Sequence, residues 1–163
     1  MRPRRVAVVA AAMALGIVLG LGTYTFAYAR GWSYLTNDPR ACANCHVMNE
    51  QMDGWVKGSH RSVAVCNDCH VPHDFAGKWY TKTRNGFWHS FYFTTQTFHE
   101  PIQATAASRA IVEAACRRCH ASVVEMMGTP DHAGSREVSC VRCHASVGHM
   151  ELSATSPGTG AER

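Results

Sequence analysis

The sequence predicts a mainly α-helical protein, in which one N-terminal helix spans a membrane and a small domain of short helices and loops follows it. Two features of the 163-residue chain support this prediction. The first is an uncharged, mostly apolar run from Val6 to Ala29. The second is a Cys-x-x-Cys-His motif that occurs four times and uses all eight cysteines. Its cysteine pairs are Cys42 and Cys45, Cys66 and Cys69, Cys116 and Cys119, and Cys140 and Cys143.

The N-terminal apolar run has the length and the flanking charges of a membrane anchor. As a helix it would measure roughly 36 Å, enough to cross a bilayer with some tilt. A cleaved signal peptide is the alternative, since Ala27-Tyr28-Ala29 resembles a cleavage site, but the apolar region of a signal peptide is usually only about 7–15 residues long. We therefore expect an uncleaved helix over residues 6–29 in the inner (cytoplasmic) membrane. The basic residues 1–5 should stay in the cytoplasm.

Composition and spacing also bear on partners. The net charge of +4 is weak, and no basic stripe with interleaved aromatic residues is present, so we predict no nucleic-acid partner. Gly16 and Gly20 lie four residues apart in the apolar run, which would let a second helix approach closely and favours a homo-oligomer. Glycine is frequent in membrane helices in any case.

The repeated motif is the attachment site of a c-type haem. The two thiols add to the two vinyl groups of one porphyrin, and the following histidine is placed under the iron as an axial ligand. Cys-x-x-Cys pairs also build zinc sites. Zinc does not require a histidine directly after the second cysteine, yet here one follows all four pairs. We predict four covalently bound haem c groups in a domain outside the cytoplasm, where such haems are attached.

The residues after the anchor are predicted to form one small domain and a tail. Residues 30–150 hold the four motifs. Residues 151–163 are rich in Gly, Ser, Thr and Pro, and we expect a flexible tail there. Helical spacing predicts helices within the aromatic-rich segment 78–98 and over 104–119. So short a chain cannot build an ordinary apolar core around four haems, so we expect the porphyrins to be the core, with short helices and loops packed around them.

Several side chains besides the motif histidines are candidate iron ligands. Six of the ten histidines lie outside the motifs: His60, His73, His89, His99, His132 and His149. The first motif is also followed by Met48, two residues after His46. Spacing alone leaves both His46 and Met48 open as ligand of the first haem, because methionine is also a common packing residue.

The chain resembles the NapC/NirT family of membrane-bound quinol dehydrogenases. The basic N-terminus, the single anchor helix, the four motifs and the stretch Cys45-His46-Val47-Met48 carry the resemblance. Further similar stretches are Gly58-Ser59-His60, Cys69-His70-Val71-Pro72-His73, the segment around Lys78 and Lys82, and residues 143–149. Within the family, the resemblance is closest to the small subunits of cytochrome c nitrite reductases, and it covers about residues 5–149.

The resemblance implies a set of iron ligands. It implies that Met48, not His46, ligates the first haem, whose other face stays open for quinol. It implies two bis-histidine haems with the proximal ligands His70 and His120, for which His60 and His149 are our choices of distal ligand. His144 would bind the fourth haem, whose sixth ligand would be a lysine of the catalytic partner. His132 is the spare ligand candidate, and His73 and His99 remain unassigned.

The resemblance also implies an activity. The chain would oxidise menaquinol at the membrane and pass the electrons to a periplasmic multihaem cytochrome c nitrite reductase, with no terminal reductase activity of its own. Two alternatives stay open: electron donation to a nitrate or trimethylamine-N-oxide reductase, and a tethered haem shuttle that never contacts quinol.

Lys82 and His89 are the candidate quinol-site residues. They lie seven residues apart, so they share one face of a helix. Relatives carry an acid near the position of His89, and a histidine that titrates near neutral pH could replace it as proton acceptor. His89 could instead be a haem ligand or a surface side chain. Lys82 could instead be a solvated surface lysine.

Overall fold

The computed structural model of the chain describes residues 3–127 and 139–149. Within these residues the regular structure consists of eight α-helices and two 3₁₀ helices, with no strand. The predicted mainly α-helical fold with one N-terminal apolar helix is therefore confirmed. The chain divides into two compact units, one ending at Thr36 and the other beginning at Asn37.

The first unit consists of a long helix and a short 3₁₀ helix. Helix α1, Pro3–Tyr28, has a mean hydropathy of 2.3 over its most apolar window, and none of its residues is buried. By length and composition it can cross a membrane. After it, Arg30 adopts the left-handed conformation (φ 51°) and leads into the 3₁₀ helix Gly31–Leu35. A Cβ atom at position 31 would overlap the Phe26 ring, so the sharp turn requires glycine there.

The second unit begins with short elements around the first motif. Asp38 caps helix α2, Pro39–Cys42, by accepting a hydrogen bond from the backbone N–H of Arg40 at 2.9 Å. A 3₁₀ helix, His46–Met48, leads directly into α3, Asn49–Lys57, which ends at Gly58.

The middle of the second unit holds a very short helix and the longest helix of the unit. Helix α4, Cys66–His70, is fixed at its start by the Asp68 carboxylate, which accepts from the backbone N–H of Val65 at 2.9 Å. Helix α5, Phe75–Thr95, is capped by Asp74, which accepts from the N–H of Gly77.

The remaining helices carry the last two motifs. Thr105 caps α6, Ala106–Cys119, by accepting from the N–H of Ser108 at 3.2 Å. Helix α7, Ala121–Met127, follows after one residue, and α8 is Cys140–Cys143. Both sequence-predicted helices are present, α5 beginning three residues before Lys78 and α6 two residues after Ala104.

The second unit lacks an ordinary side-chain core in the residues that the structure describes. Val71 and Ala115, at the contact of α4 with α6, are its buried hydrophobic residues, and no side chain is fully buried. A domain of this size normally closes around many buried apolar side chains. The space that they would fill is therefore left for groups that the polypeptide does not supply, as expected if porphyrins form the core.

Candidate functional site: an array of haem-attachment motifs

Three of the four motifs place both cysteines on one helix. The pairs are Cys66 and Cys69 on α4, Cys116 and Cys119 on α6, and Cys140 and Cys143 on α8. Residues three apart on a helix are neighbours on one face, so both thiols can reach one porphyrin. All eight cysteines are free thiols, which leaves each pair available for thioether formation.

The first motif is built differently. Cys42 ends α2, whereas Cys45 lies just before the 3₁₀ helix His46–Met48, so the two thiols belong to different elements. The backbone N–H of Met48 donates to the carbonyl of Cys45 at 2.9 Å. The side chain of His46 is exposed, whereas Met48 is half-buried. Both candidate ligands of the first haem therefore lie within one turn of each other.

The attachment cysteines follow one another through the domain in chain order. The thiol of Cys66 is hydrogen-bonded to Cys42, which joins the second motif to the first. Helix α4, which carries the second motif, contacts α6, which carries the third, and α6 contacts α8, which carries the fourth. Motifs one to four thus form a continuous array in which each motif neighbours the next.

Two motif histidines each lie beside a distant histidine, with ring planes inclined by 39° for His70 and His149 and by 78° for His60 and His120. The ring centres of His70 and His149 are 5.9 Å apart, and those of His60 and His120 are 6.1 Å apart. A metal held between two imidazoles, at about 2 Å from each nitrogen, separates the ring centres by about 6 Å. Both ring-centre separations therefore match the spacing of two imidazoles that hold one metal between them. Sequence reasoning selected all four histidines but did not pair them.

Hydrogen bonds fix the ring orientation of the two distant histidines. Nδ1 of His149 lies 2.8 Å from the carbonyl oxygen of Gln51, and Nδ1 of His60 lies 3.2 Å from the carbonyl oxygen of Val147. A carbonyl oxygen only accepts, so each Nδ1 carries the proton and each Nε2 keeps its lone pair for a metal. Burial, followed by the neighbouring His149, lowers the pKa of His70, which favours the neutral imidazole that ligation requires.

The other histidines have different surroundings. Within the described residues no second imidazole ring stands against His46 or His144. Nε2 of His73 lies 2.9 Å from the carbonyl oxygen of Asp68 and 2.7 Å from a guanidinium nitrogen of Arg118. His73 therefore helps to join α4 to α6. His99 is exposed, and His132 lies outside the described residues.

Glu113 is a functional candidate that sequence reasoning missed. From α6, its carboxylate accepts hydrogen bonds from the hydroxyl of Ser139 and from the backbone N–H groups of Cys140 at 2.8 Å and Val141 at 3.2 Å. Burial raises the pKa of Glu113, but these hydrogen bonds outweigh it and lower the pKa to about 2. One ionised carboxylate therefore fastens the start of the fourth motif to the helix that carries the third.

Lys82 lies beside the first motif. Lys82 is buried, with 7% of its surface exposed. Its ammonium nitrogen lies 5.9 Å from the centre of the Trp79 ring. The hydrogen bond from the Cys66 thiol lowers the pKa of Cys42, burial opposes this, and the ammonium of Lys82 also lowers it. The structure thus brings a largely buried cation next to the first motif.

Lys82 and His89 lie on the same helix, as the sequence predicted. Both lie on α5, two turns apart on one face. Burial and then the charge of Lys78 lower the pKa of Lys82. Burial also lowers the pKa of His89, although part of that residue is exposed. The lowered pKa favours the neutral form of the His89 imidazole.

Comparison with known proteins gives a consistent result. Residues 2–154 match the model of the NapC/NirT cytochrome c family, N-terminal region. The cytochrome c-type protein NrfH of Wolinella succinogenes is 39% identical over 108 residues, which are 66% of this chain and 61% of the relative. The cytochrome c nitrite reductase subunit NrfH of Nitratidesulfovibrio vulgaris is 30% identical over 118 residues, covering 72% of this chain and 70% of the relative.

A solved structure is similar over almost the whole chain. It is the crystal structure of the cytochrome c nitrite reductase NrfHA complex bound to the inhibitor HQNO, and one of its chains matches with a TM-score of 0.62 and 26% identity. The match covers 96% of this chain and 99% of that chain. The alignment with the Wolinella relative, by contrast, spans less than two thirds of that relative's length.

Proposed function

The chain belongs to the NapC/NirT cytochrome c family, a family with c-type haem, and on that premise we propose that it is a membrane-anchored tetrahaem cytochrome that oxidises menaquinol. It passes the electrons to the periplasmic catalytic subunit of a cytochrome c nitrite reductase. The observation that carries the electron-transfer role is the series of helix contacts, α2 with α4, α4 with α6 and α6 with α8, which places the four motifs next to one another in chain order. The names of the similar NrfH proteins support nitrite reductase as the partner.

The ring pairs support a specific ligand set for the two inner haems. His70 and His149 hold the haem of the second motif, and His120 and His60 hold the haem of the third. Imidazole on both sides leaves no open iron position. These two groups therefore carry electrons and do not bind substrate.

The two outer haems are proposed to be incomplete within this chain. Met48 ligates the first haem, with His46 as the alternative, and the half-burial of Met48 supports this choice. His144 ligates the fourth haem, and a lysine of the catalytic subunit supplies its sixth ligand. The chain then opens to its donor at one end of the array and to its acceptor at the other.

The haems would supply one-electron redox centres, and the chain supplies the quinol site. Lys82, desolvated and next to the first motif, orients a quinol oxygen. His89, on the same face of α5 as Lys82, takes up a proton released when quinol is oxidised. Trp79 holds the Lys82 ammonium over its ring, which limits the positions that the ammonium can take.

Topology completes the proposal. Helix α1 is a single uncleaved span of the inner membrane, with Arg4 and Arg5 in the cytoplasm and the haem domain in the periplasm. Gly16 and Gly20 lie four residues apart on α1, a spacing that would let a second copy of the helix within the complex approach closely.

The experiment that tests the proposal follows haem absorbance while reduced menaquinone is added to the purified holoprotein, with and without the catalytic subunit and nitrite. We expect the haems to be reduced by quinol and reoxidised only when both the subunit and nitrite are present. Intact mass should equal the polypeptide plus four haems. Reduction by dithionite but not by quinol would contradict the quinol role. The rate should fall at low pH as His89 becomes protonated, and His89→Ala should remove that fall.

A further inference from the structure

An exposed cluster of aromatic rings lies on the second half of α5. Phe87, Trp88, Phe91 and Tyr92 keep 62%, 40%, 45% and 40% of their surface exposed. Their rings contact one another, with centres between 5.3 and 6.4 Å apart. These four residues, the aromatic cluster, therefore form one continuous apolar surface.

The charges of α5 are divided along its length. The helix contains no Asp or Glu, and its three cations, Lys78, Lys82 and Arg84, all precede Gly86. From Asn85 to His99 the chain has no Asp, Glu, Lys or Arg. Arg84 is exposed and lies one turn before the cluster. The helix thus presents a cationic first half and an uncharged aromatic second half.

Such a surface suits the boundary of a bilayer. A soluble surface rarely leaves several contiguous aromatic rings open to water, because each ring would otherwise bury about 150–250 Å². Tryptophan and tyrosine prefer the depth of the lipid headgroups, with an apolar ring on one side and a polar tip on the other. An arginine at the edge of the cluster can pair with lipid phosphate.

We propose that the aromatic cluster inserts into the interfacial layer of the bilayer that holds α1, and that it is a second membrane contact of this chain. The occupant of the surface is thus phospholipid, with anionic headgroups favoured by the cations of α5. The anchor supports this choice because α1 keeps the domain at the bilayer surface, so that docking is an intramolecular event. Helix α5 then lies in the membrane plane like other interfacial helices.

The cluster can be altered without touching the proposed quinol site. Phe87 and Phe91 follow Lys82 by five and nine residues, which places them roughly half a turn away around the helix. Both side chains are exposed, so replacing them removes little internal packing. The double variant Phe87→Ser/Phe91→Ser is therefore a suitable probe of the surface.

The test is photolabelling of the full-length holoprotein in liposomes that contain anionic phospholipid and a phospholipid with a diazirine just below its headgroup. We expect lipid adducts on α1 and on the peptide that carries the cluster. Val123, Met126 and Met127 on α7 are also exposed apolar residues and serve as the matched control, which should stay unlabelled. The Phe87→Ser/Phe91→Ser variant should lose the α5 adducts while keeping the α1 adducts and its haem spectrum.

Three results would overturn the proposal. The first is that α5 of the unaltered protein carries no lipid adduct. The second is that α5 and α7 are labelled equally. The third is that the α5 segments of two chains cross-link to each other in place of lipid. If the double variant loses its haem spectrum, the variant Arg84→Gln is used in its place. Labelling of α5 in the Arg84→Gln protein should be lower in anionic liposomes than labelling of the unaltered protein. It should equal the labelling measured in neutral liposomes. Because the readout is a lipid adduct, the result does not depend on whether the chain oxidises quinol.

Discussion

The inner and outer motifs differ in where their histidines find a partner. His70 and His120, of the second and third motifs, each stand about 6 Å from a histidine that comes from far away in the chain. His46 and His144, of the first and fourth motifs, have no such imidazole within the described residues. The difference agrees with our proposal that the haems of the two inner motifs have histidine on both sides and that the haems of the two outer motifs do not.

The inner and outer motifs also differ in the contacts that hold their backbone in place. The inner motifs lie on α4 and α6, which pack on each other. The fourth motif lies on a four-residue helix held by Glu113, and the first is divided between α2 and a 3₁₀ helix. Variants that lack one ligand or one contact at a time test this difference between the inner and outer motifs.

The largest spectroscopic effect is expected from the inner ligands. His149→Ala and His60→Ala should each convert one low-spin haem to high-spin, because each removes an axial imidazole with no replacement nearby. Quinol-driven reduction of the partner should fall at least about tenfold. Absorption and electron paramagnetic resonance spectra report the spin change. His73→Ala is the control, since Nε2 of His73 faces Asp68 and Arg118 instead. A spin change in that control, and none in the other two, would reverse the assignment.

Next comes the ligand of the first haem. Met48→Ala should abolish reduction by quinol and leave the other three haems spectroscopically intact, because the first haem alone loses its protein ligand. His46→Ala should have a much smaller effect, since His46 is exposed. Stopped-flow reduction by menaquinol measures both variants. The opposite order of effects would return the first motif to ordinary histidine ligation and weaken the contrast between outer and inner motifs.

A smaller effect is expected at the quinol site. Lys82→Leu should slow reduction by menaquinol, since it removes the cation that orients the quinol, but not reduction by dithionite. Lys78→Leu is the matched control, because the Lys78 ammonium also lies about 6 Å from the Trp79 ring, at 6.0 Å, yet Lys78 is less buried. Equal rates for Lys82→Leu and the unaltered protein would place the quinol pocket elsewhere.

The smallest effect concerns Glu113. Glu113→Ala removes the hydrogen bonds to the start of α8, and we expect a loss of about 1–2 kcal/mol in the free energy of unfolding, because the carboxylate is partly exposed. The spectrum of the fourth haem should change and those of the inner haems should not. Thermal unfolding followed by haem absorbance measures the loss, with the exposed Glu125→Ala as control.

The stabilisation by Glu113 should also depend on pH. The pKa of Glu113 is lowered to about 2 in the fold, against about 4.3 in an unfolded chain. Its contribution is therefore complete above pH of about 4.3 and is lost as the pH falls toward about 2. If Glu113→Ala destabilised the protein equally at pH 7 and at the acid end of this range, the carboxylate would not be the cause.

What could be predicted from the sequence was set by short-range spacing. The apolar run predicted α1, and the caps at Asp74 and Thr105 begin α5 and α6 close to where helical spacing placed them. The family resemblance is confirmed by the match of residues 2–154. These features depend on residues a few positions apart, which a sequence displays directly.

The rest depends on contacts between distant segments. Nothing near His60 indicates His120 as its partner, because the pairing arises from the packing of α4, α6 and the loops around them. Glu113 looks like any surface acid of a helix, and the groups that it binds follow 26 to 28 residues later. The roles of Met48, Lys82, His89 and His144 stay predictions, as do the domain boundaries at the membrane and the tail.

The most direct test of the contrast is near-infrared magnetic circular dichroism of the oxidised, isolated holoprotein, which distinguishes bis-imidazole haems from haems that lack a second imidazole. We expect two bis-imidazole haems, and two haems without a second imidazole from this chain. The second pair should change when quinol analogue or catalytic subunit is added, and the first pair should not. A spectrum with four bis-imidazole haems, or with fewer than two, would contradict the division into completed inner motifs and open outer ones.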